Sequence, residues 1–313
     1  MIGWMFPGQG SQRPGMAAGL DACGELFAVA RRILGVNLAP LCTTANGTTW
    51  PADLLQPALY VTSVGAALAL EARGLRPDAV LGHSLGEWAA LTAAGALAFE
   101  DALRVVAIRG SAMRSAAREN PGGMAAVMGL DPRSVGEICS DVEGVWVASH
   151  NGPSQVVLSG ADEPLARAAA RCRIAGATRV VRLDVAVPAH CPLMEPAARA
   201  VDAALCDVIV EEPACAFYSA VDGARHTDPF HLRDLLVTAI TSPVRFVDTL
   251  LAMQEDGLAA LVEVGPSRVL SGLARRCTPD VATCAAATDA EADALALAHP
   301  LAGTPGGIGR RHT

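Results

Sequence analysis

Short, wholly apolar runs closed by Gly or Pro punctuate this chain and predict buried strands. Between them lie longer Ala- and Leu-rich segments with apolar residues at helical spacing. Ile2–Phe6 is the first such strand, stopped by Pro7. Helical patterns follow from about Leu20 to Val36 and from Leu59 to Arg73, the latter closed by Gly74. Arg76-Pro77-Asp78 leads into a strand ending at Val80-Leu81. The stretch from Glu87 to Ala117 is helical, with a break at Gly95 and a restart near Glu100-Asp101. Asn120-Pro121-Gly122-Gly123 marks a linker. Beyond residue 190, helices are predicted over Cys191–Leu205, Pro229–Met253 (interrupted at Ser242-Pro243) and Arg268–Arg275. Strands are predicted over Ala214–Ser219 and Ala260–Val264.

The middle of the chain has a denser rhythm. Strand Met124–Met128, helix Asp131–Cys139, strand Val145–His150, strand Gln155–Ser159, helix Glu163–Ala175 and strand Thr178–Leu183 follow one another. That β-α-β-β-α-β order is the ferredoxin-like arrangement. The expected fold is therefore α/β. Residues 1–123 and 188–277 form a large α/β-hydrolase-like catalytic domain with a parallel sheet, and 124–187 form an inserted ferredoxin-like subdomain. From Thr278 the composition turns to Ala, Asp and Thr, then to Gly, Arg and His, so 278–313 reads as a loosely held tail dispensable for chemistry.

Composition narrows the function classes. A 51% hydrophobic and 18% charged chain of 313 residues has a sizeable core and is not disordered. The net charge of −8 argues against a nucleic-acid partner. Nine scattered cysteines without a C-x-x-C indicate neither a disulfide framework nor a zinc site, and no metal is expected. The first apolar run lacks a basic lead and stops at Pro7-Gly8, so no signal peptide is expected. No segment reads as a membrane span, and a cytoplasmic location is expected. The chain contains no lysine. Schiff-base chemistry and a Walker-A lysine are thereby excluded, and an anionic substrate must be held by arginine or backbone N–H groups.

Candidate chemistry centres on Gly82-His83-Ser84-Leu85-Gly86, a G-x-S-x-G turn between a predicted strand and a predicted helix. That context holds a serine on a strained elbow at the head of a helix, whose N-terminus favours an oxyanion beside Ser84. The serine needs a base, and seven histidines are available. His299 and His312 lie in the tail, and His83 diverges from its neighbour on the turn. His150, His190, His226 and His231 remain. His190 stands out at the exit of the inserted segment, beside Val187-Pro188, whereas His150 adjoins the turn Asn151-Gly152-Pro153. No acid is singled out to orient the base, although Asp184 is near in sequence; a backbone carbonyl would fix the tautomer equally well. Arg109, within Ala107-Ile108-Arg109-Gly110, would clamp a carboxylate if it were buried and faced Ser84. The loop Pro7-Gly8-Gln9-Gly10-Ser11-Gln12 follows a strand and is placed to aim N–H groups into a site.

Taken in order, these elements resemble the malonyl-CoA:acyl-carrier-protein transacylases of fatty-acid synthesis and the acyltransferase domains of polyketide synthases. The resemblance rests on Phe6–Gln12, Gly82–Glu87, Arg109-Gly110, Asn151–Val157, Val187–Cys191, Ser242–Phe246 and Glu263–Pro266, and runs to about Arg276. It implies Ser84 as the acylated nucleophile and His190 as general base and acid. The Gln9 and Leu85 N–H groups are implied as the oxyanion hole, and Arg109 as the clamp on the malonyl carboxylate. In the family a Gln or Asn carbonyl a few residues before the S/N-P-V motif holds the histidine; here that place falls on Ala239. The change is harmless if the main chain makes the contact and weakens His190 orientation if the side chain does. Ala189 departs from the residues usual before the histidine and leaves a bulkier carboxyacyl group open, while Leu85 fits malonyl, which is favoured.

The resemblance thus implies a ping-pong acyltransferase without cofactor. Malonyl-CoA is its donor and the pantetheine thiol of an acyl carrier protein its acceptor. It would act in trans on a polyketide synthase or in fatty-acid synthesis. The rivals are a thioester hydrolase editing carrier proteins, a transacylase subunit of a malonate decarboxylase, and a non-enzymatic carrier-docking module. Arg109 disfavours the first, because uncharged acyl groups need no cationic clamp.

Overall fold

The computed structural model describes residues 1–44, 52–185 and 187–298. Its strands in chain order are β1 (Ile2–Phe6), β2 (Ala79–Gly82), β3 (Gly122–Met128), β4 (Val145–Gly152), β5 (Gln155–Ala161), β6 (Arg179–Arg182), β7 (Ala216–Tyr218), β8 (Arg225–His226), β9 (Ala260–Val264) and β10 (Ala282–Ala286). They form a six-stranded sheet ordered β10-β9-β1-β2-β7-β8 and a separate four-stranded sheet ordered β4-β5-β3-β6. In the larger sheet only β7 and β8 pair antiparallel; the smaller sheet is antiparallel throughout.

The larger sheet is covered on both faces, which is why its strands are apolar runs rather than alternating ones. Trp4, Phe6 and Val80 point into one core with Leu59, Trp88 and Val106, on helices Ala52–Glu71, Gly86–Ala93 and Phe99–Glu119. Met5, Ala79 and Leu81 point the opposite way, onto Leu250, Met253 and Leu273 of helices Phe246–Glu255 and Val269–Cys277. Alternate residues of one strand thus serve two cores. In the smaller sheet, Ala125 and Val127 pack on Val135, Leu165 and Ala168 of helices Pro132–Ser140 and Asp162–Ile174. Its other face presents Ala126 and Val157 to the larger core.

Register places the chemistry at the carboxyl ends of the two central strands of the larger sheet. β1 and β2 run parallel with Phe6 opposite Gly82, so the loop after β1 and the turn after β2 leave side by side. His83 N–H donates to Phe6 O at 2.9 Å and ties the two together. A second tie joins β4 of the smaller sheet to the loop before helix Phe246–Glu255: Val244 N–H donates to Ala148 O, and His150 N–H donates to Val244 O, each at 2.9 Å.

One sequence expectation needs correction. The tail expected to be loose from Thr278 instead continues the fold through residue 298. β10 pairs with β9 along its whole length, and helix Asp289–Ala298 is anchored by Arg73, which bonds Asp289 at 2.8 Å and Asp293 at 2.6 Å. Its strand is hard to see because Ala282–Ala286 is an edge strand of small residues with no bulky apolar face. Residues 299–313 of that tail, His299 and His312 included, lie outside the described residues. In addition, Asp53–Glu71 is long and apolar enough to cross a bilayer, but 83% of it is buried inside the fold, where it serves as a core helix.

Candidate active site

Ser84 sits on a turn that only glycine neighbours permit. A Cβ on Gly82 would stand 2.0 Å from Glu87 N, and one on Gly86 would stand 1.9 Å from Phe6 O. Ser84 itself adopts φ 56°, a left-handed conformation that non-glycine residues rarely hold. His83 N–H is committed to Phe6 O, and the helix Gly86–Ala93 starts directly after Leu85. The strand–elbow–helix expected around the motif is therefore present.

Across the elbow runs the loop after β1. A Cβ on Gly8 would stand 2.5 Å from His83 O and 3.7 Å from Leu85 N, so the backbones of the two turns are in contact. Among the described residues, neither the Gln9 nor the Leu85 N–H donates to an internal acceptor, whereas Gly10, Ser11, Gly86 and Glu87 N–H groups do. Gln9 and Ser84 line the same cleft of about 220 Å³.

His190 is the second non-glycine residue at positive φ, at 62°. It is buried, and its N–H donates to Ile240 O at 3.2 Å. Its ring Nδ1 is 2.8 Å from Ala239 O and 3.1 Å from Ser242 O. Both carbonyls only accept, so Nδ1 carries the proton and Nε2 keeps the lone pair. Ala239 caps the C-terminus of helix Pro229–Thr238 and reaches His190 through its main chain, so a side chain there is immaterial. Burial, then Arg109, then His83 push the imidazole down to about 3, and it is neutral at ordinary pH.

Arg109 lies on helix Phe99–Glu119 and is 2% exposed. Its Nη2 donates to Ser84 Oγ at 3.0 Å and its Nη1 to Gln56 Oε1 at 2.6 Å. Gln56 is held in turn by a donated bond to Met113 Sδ at 3.6 Å. Among the described residues no carboxylate bonds Arg109, and burial lowers it to about 10 with Glu87 as the opposing influence. A buried guanidinium without an ion-pair partner is an anion site by charge alone.

Several neighbours complete the site without a role legible in the sequence. Gln56 carries no signal, being one polar residue inside an apolar helix. His83 is not idle on the turn: its Nε2 meets Asn151 Oδ1 at 2.9 Å, and burial lowers its basicity. Glu87 is 1% exposed, accepts from Ser219 Oγ at 2.9 Å and Ala220 N at 2.7 Å, and has its other oxygen unpartnered. Desolvation raises it to about 7. Of the other candidate histidines, His150 is on β4 with its N–H given to Val244, while His226 and His231 pair with each other away from the cleft.

The cleft lining combines polar Ser84, Arg109, His190 and Asn151 with apolar Met113, Met124, Val157 and Leu183. That arrangement suits a short acyl group bearing a terminal anion, attached to a longer chain that leaves toward solvent.

Comparison with known proteins follows the same lines. Residues 3–296 match the model of the acyl transferase domain. A malonyl CoA-acyl carrier protein transacylase of Haemophilus influenzae is 39% identical over 290 residues, covering 88% of this chain and 92% of its relative. The solved malonyl CoA-acyl carrier protein transacylase of Coxiella burnetii superposes with a TM-score of 0.91 at 33% identity, over 95% of this chain and 96% of that one. A malonyl-transacylase solved in complex with a type II polyketide synthase acyl-carrier protein superposes at 0.90, with 34% identity over 95% of this chain and 99% of that one.

Proposed function

We propose that this chain, which belongs to the acyl transferase family, moves a malonyl group from coenzyme A to the pantetheine thiol of an acyl carrier protein. The observation that carries the reading is Arg109: a buried cation, without an ion-pair partner among the described residues, hydrogen-bonded to the Ser84 hydroxyl. A serine acylated there brings the free carboxylate of a three-carbon diacid within reach of the guanidinium, and an acetyl group offers it nothing.

The reaction runs in two halves through Ser84. Neutral His190 takes the Ser84 proton at Nε2 as Oγ attacks the thioester carbonyl. The oxyanion is stabilised by the free Gln9 and Leu85 N–H groups at the head of helix Gly86–Ala93. Imidazolium at His190 is shared by the Ala239 and Ser242 carbonyls, and it returns the proton to the departing coenzyme A sulfur. The carrier thiol then repeats the sequence in reverse. Arg109 releases Ser84 Oγ and takes the carboxylate, which fixes the acyl group for both halves. A narrow cleft limits water as a competing acceptor.

The elbow and the parallel strands beside it support an α/β-hydrolase-like reading of 1–123 with 188–277. The order β4-β5-β3-β6, with two helices on one face, supports a ferredoxin-like reading of 124–187 as an inserted domain. A cytoplasmic enzyme serving a fatty-acid or polyketide synthase fits these features. The test is product analysis with malonyl-CoA, with and without a phosphopantetheinylated carrier protein. Malonyl on the carrier thiol, with free malonate minor, is expected. Malonate released at one rate regardless of carrier would make the chain a hydrolase.

A further inference from the structure

Away from the cleft, one side-chain cluster gathers atoms suited to a metal. Asp222 lies in the turn between β7 and β8, His226 ends β8, and His231 lies in the first turn of helix Pro229–Thr238. One ligand atom from each lies within 4.8 Å of the other two. His226 Nε2 is 2.9 Å from Asp222 Oδ2 and 3.1 Å from Oδ1, and the His226 and His231 rings stand 4.6 Å apart, tilted by 47°. The D-x-x-x-H-x-x-x-x-H spacing has no helical or hairpin regularity. Only the tight β7–β8 turn, with Gly223 at φ 77°, folds it into one place.

We propose that Asp222, His226 and His231 bind a divalent transition metal of the Zn²⁺ class, which clips the β7–β8 hairpin to helix Pro229–Thr238. Two imidazoles and one carboxylate are the donor set that Zn²⁺ and its neighbours prefer. Mg²⁺ and Ca²⁺ require oxygen ligands. Tetrahedral bonds of about 2.0–2.2 Å set ligand atoms roughly 3.4 Å apart, so the observed spread closes by side-chain rotation. His226, with a side chain 14% exposed, is the fixed member, and Asp222, 38% exposed, is free to adjust. Asp222 is further oriented by the Ala224 N–H donated to its Oδ1 at 3.0 Å. The metal sits between His226 Nε2 and Asp222, with the neutral His226 ring carrying its single proton on Nδ1, and water fills the open coordination position.

The clip would brace elements that the catalytic cleft depends on. The turn it fastens begins with Ser219 and Ala220, which hold Glu87 beneath the Ser84 elbow. The helix it fastens ends at Ala239, whose carbonyl holds His190. The site itself contains no residue of the cleft.

The test uses the full chain stripped of metal by a chelator, titrated calorimetrically with ZnCl₂ and with MgCl₂, alongside His231→Gln. One Zn²⁺ per wild-type chain is expected, with no Mg²⁺ binding. His231→Gln should weaken Zn²⁺ by at least about tenfold, since even outer partners of a metal are worth about 10–100-fold. Co²⁺ should give visible d–d bands on the wild type without a thiolate charge-transfer band, and lose them in the variant. Metal-free thermal midpoints of the two proteins should agree, and only the wild type should rise on adding Zn²⁺. Should His231→Gln fail to fold, Asp222→Asn is read the same way. Absence of stoichiometric Zn²⁺ binding, equal binding by the variant, or a thiolate band placing the metal on cysteine would each overturn the assignment.

Discussion

Arg109 Nη2 donates to Ser84 Oγ across 3.0 Å, and in the proposed reaction that bond links nucleophile to substrate choice. There the same guanidinium lets go of the hydroxyl when a carboxylate arrives, so its affinity for the anion acts on the acylated and not on the free serine. Removing the guanidinium leaves a malonyl carboxylate buried alone, at a cost of about 2–5 kcal/mol by analogy with truncated buried charge pairs. Arg109→Ala should lower malonyl loading by about 30-fold or more, while acetyl loading holds or rises. The measurement is the malonyl-to-acetyl ratio of acylated enzyme in both proteins. An equal fall for the two acyl groups would make Arg109 structural.

His190→Ala should slow both half-reactions by about 10²–10⁴-fold, the span of positioned acid–base catalysis. Because the imidazole is pushed to about 3, the ring is already neutral across the usual working range. The acid limb of kcat/KM for malonyl-CoA should therefore fall well below the ordinary imidazole value of about 6.5. The profile is best recorded in Glu87→Gln as well as wild type, because Glu87 titrates near 7. A limb at about 6.5 that persists in Glu87→Gln would contradict a buried, neutral base.

Much of this site is legible in the sequence because its determinants are local. The elbow needs glycine at 82 and 86, since backbone atoms stand where a Cβ would go, and such constraints write themselves as motif. Arg109 is legible in part, as an arginine in an apolar helical stretch. Gln56 is not legible, because its role comes from helix Ala52–Glu71 packing beside helix Phe99–Glu119, a tertiary fact with no local signature. The same holds for Ala239, where the functional atom is a carbonyl that every residue has. β10 is not legible either, because it pairs with β9 along its length and carries no hydrophobic pattern of its own.

Glu87 makes a stability prediction of definite sign. Burial pushes it up to about 7 from the ordinary carboxylate value of 4.5, so the folded state holds the proton more tightly. The stability contributed is present below pH 4.5 and lost as pH rises through 7, by about 3 kcal/mol in all. Glu87→Gln removes that titration. The thermal midpoint of Glu87→Gln minus that of wild type should therefore increase between pH 4.5 and 8, and the difference also cancels the opposite slope that His190 contributes. A difference independent of pH would mean that Glu87 is ionised in the folded protein.

The central claim is that the acyl group passes through Ser84. Intact-protein mass spectrometry after brief mixing with malonyl-CoA measures this directly, with Ser84→Ala as the comparison. Cys191 is the nearest rival in sequence to His190, but it is fully buried, donates to Pro188 O at 3.1 Å and has its thiol raised by burial. The wild type should gain one malonyl group, mapped to the peptide containing Ser84, and Ser84→Ala should gain none. A malonyl adduct of equal yield on Ser84→Ala would contradict the account.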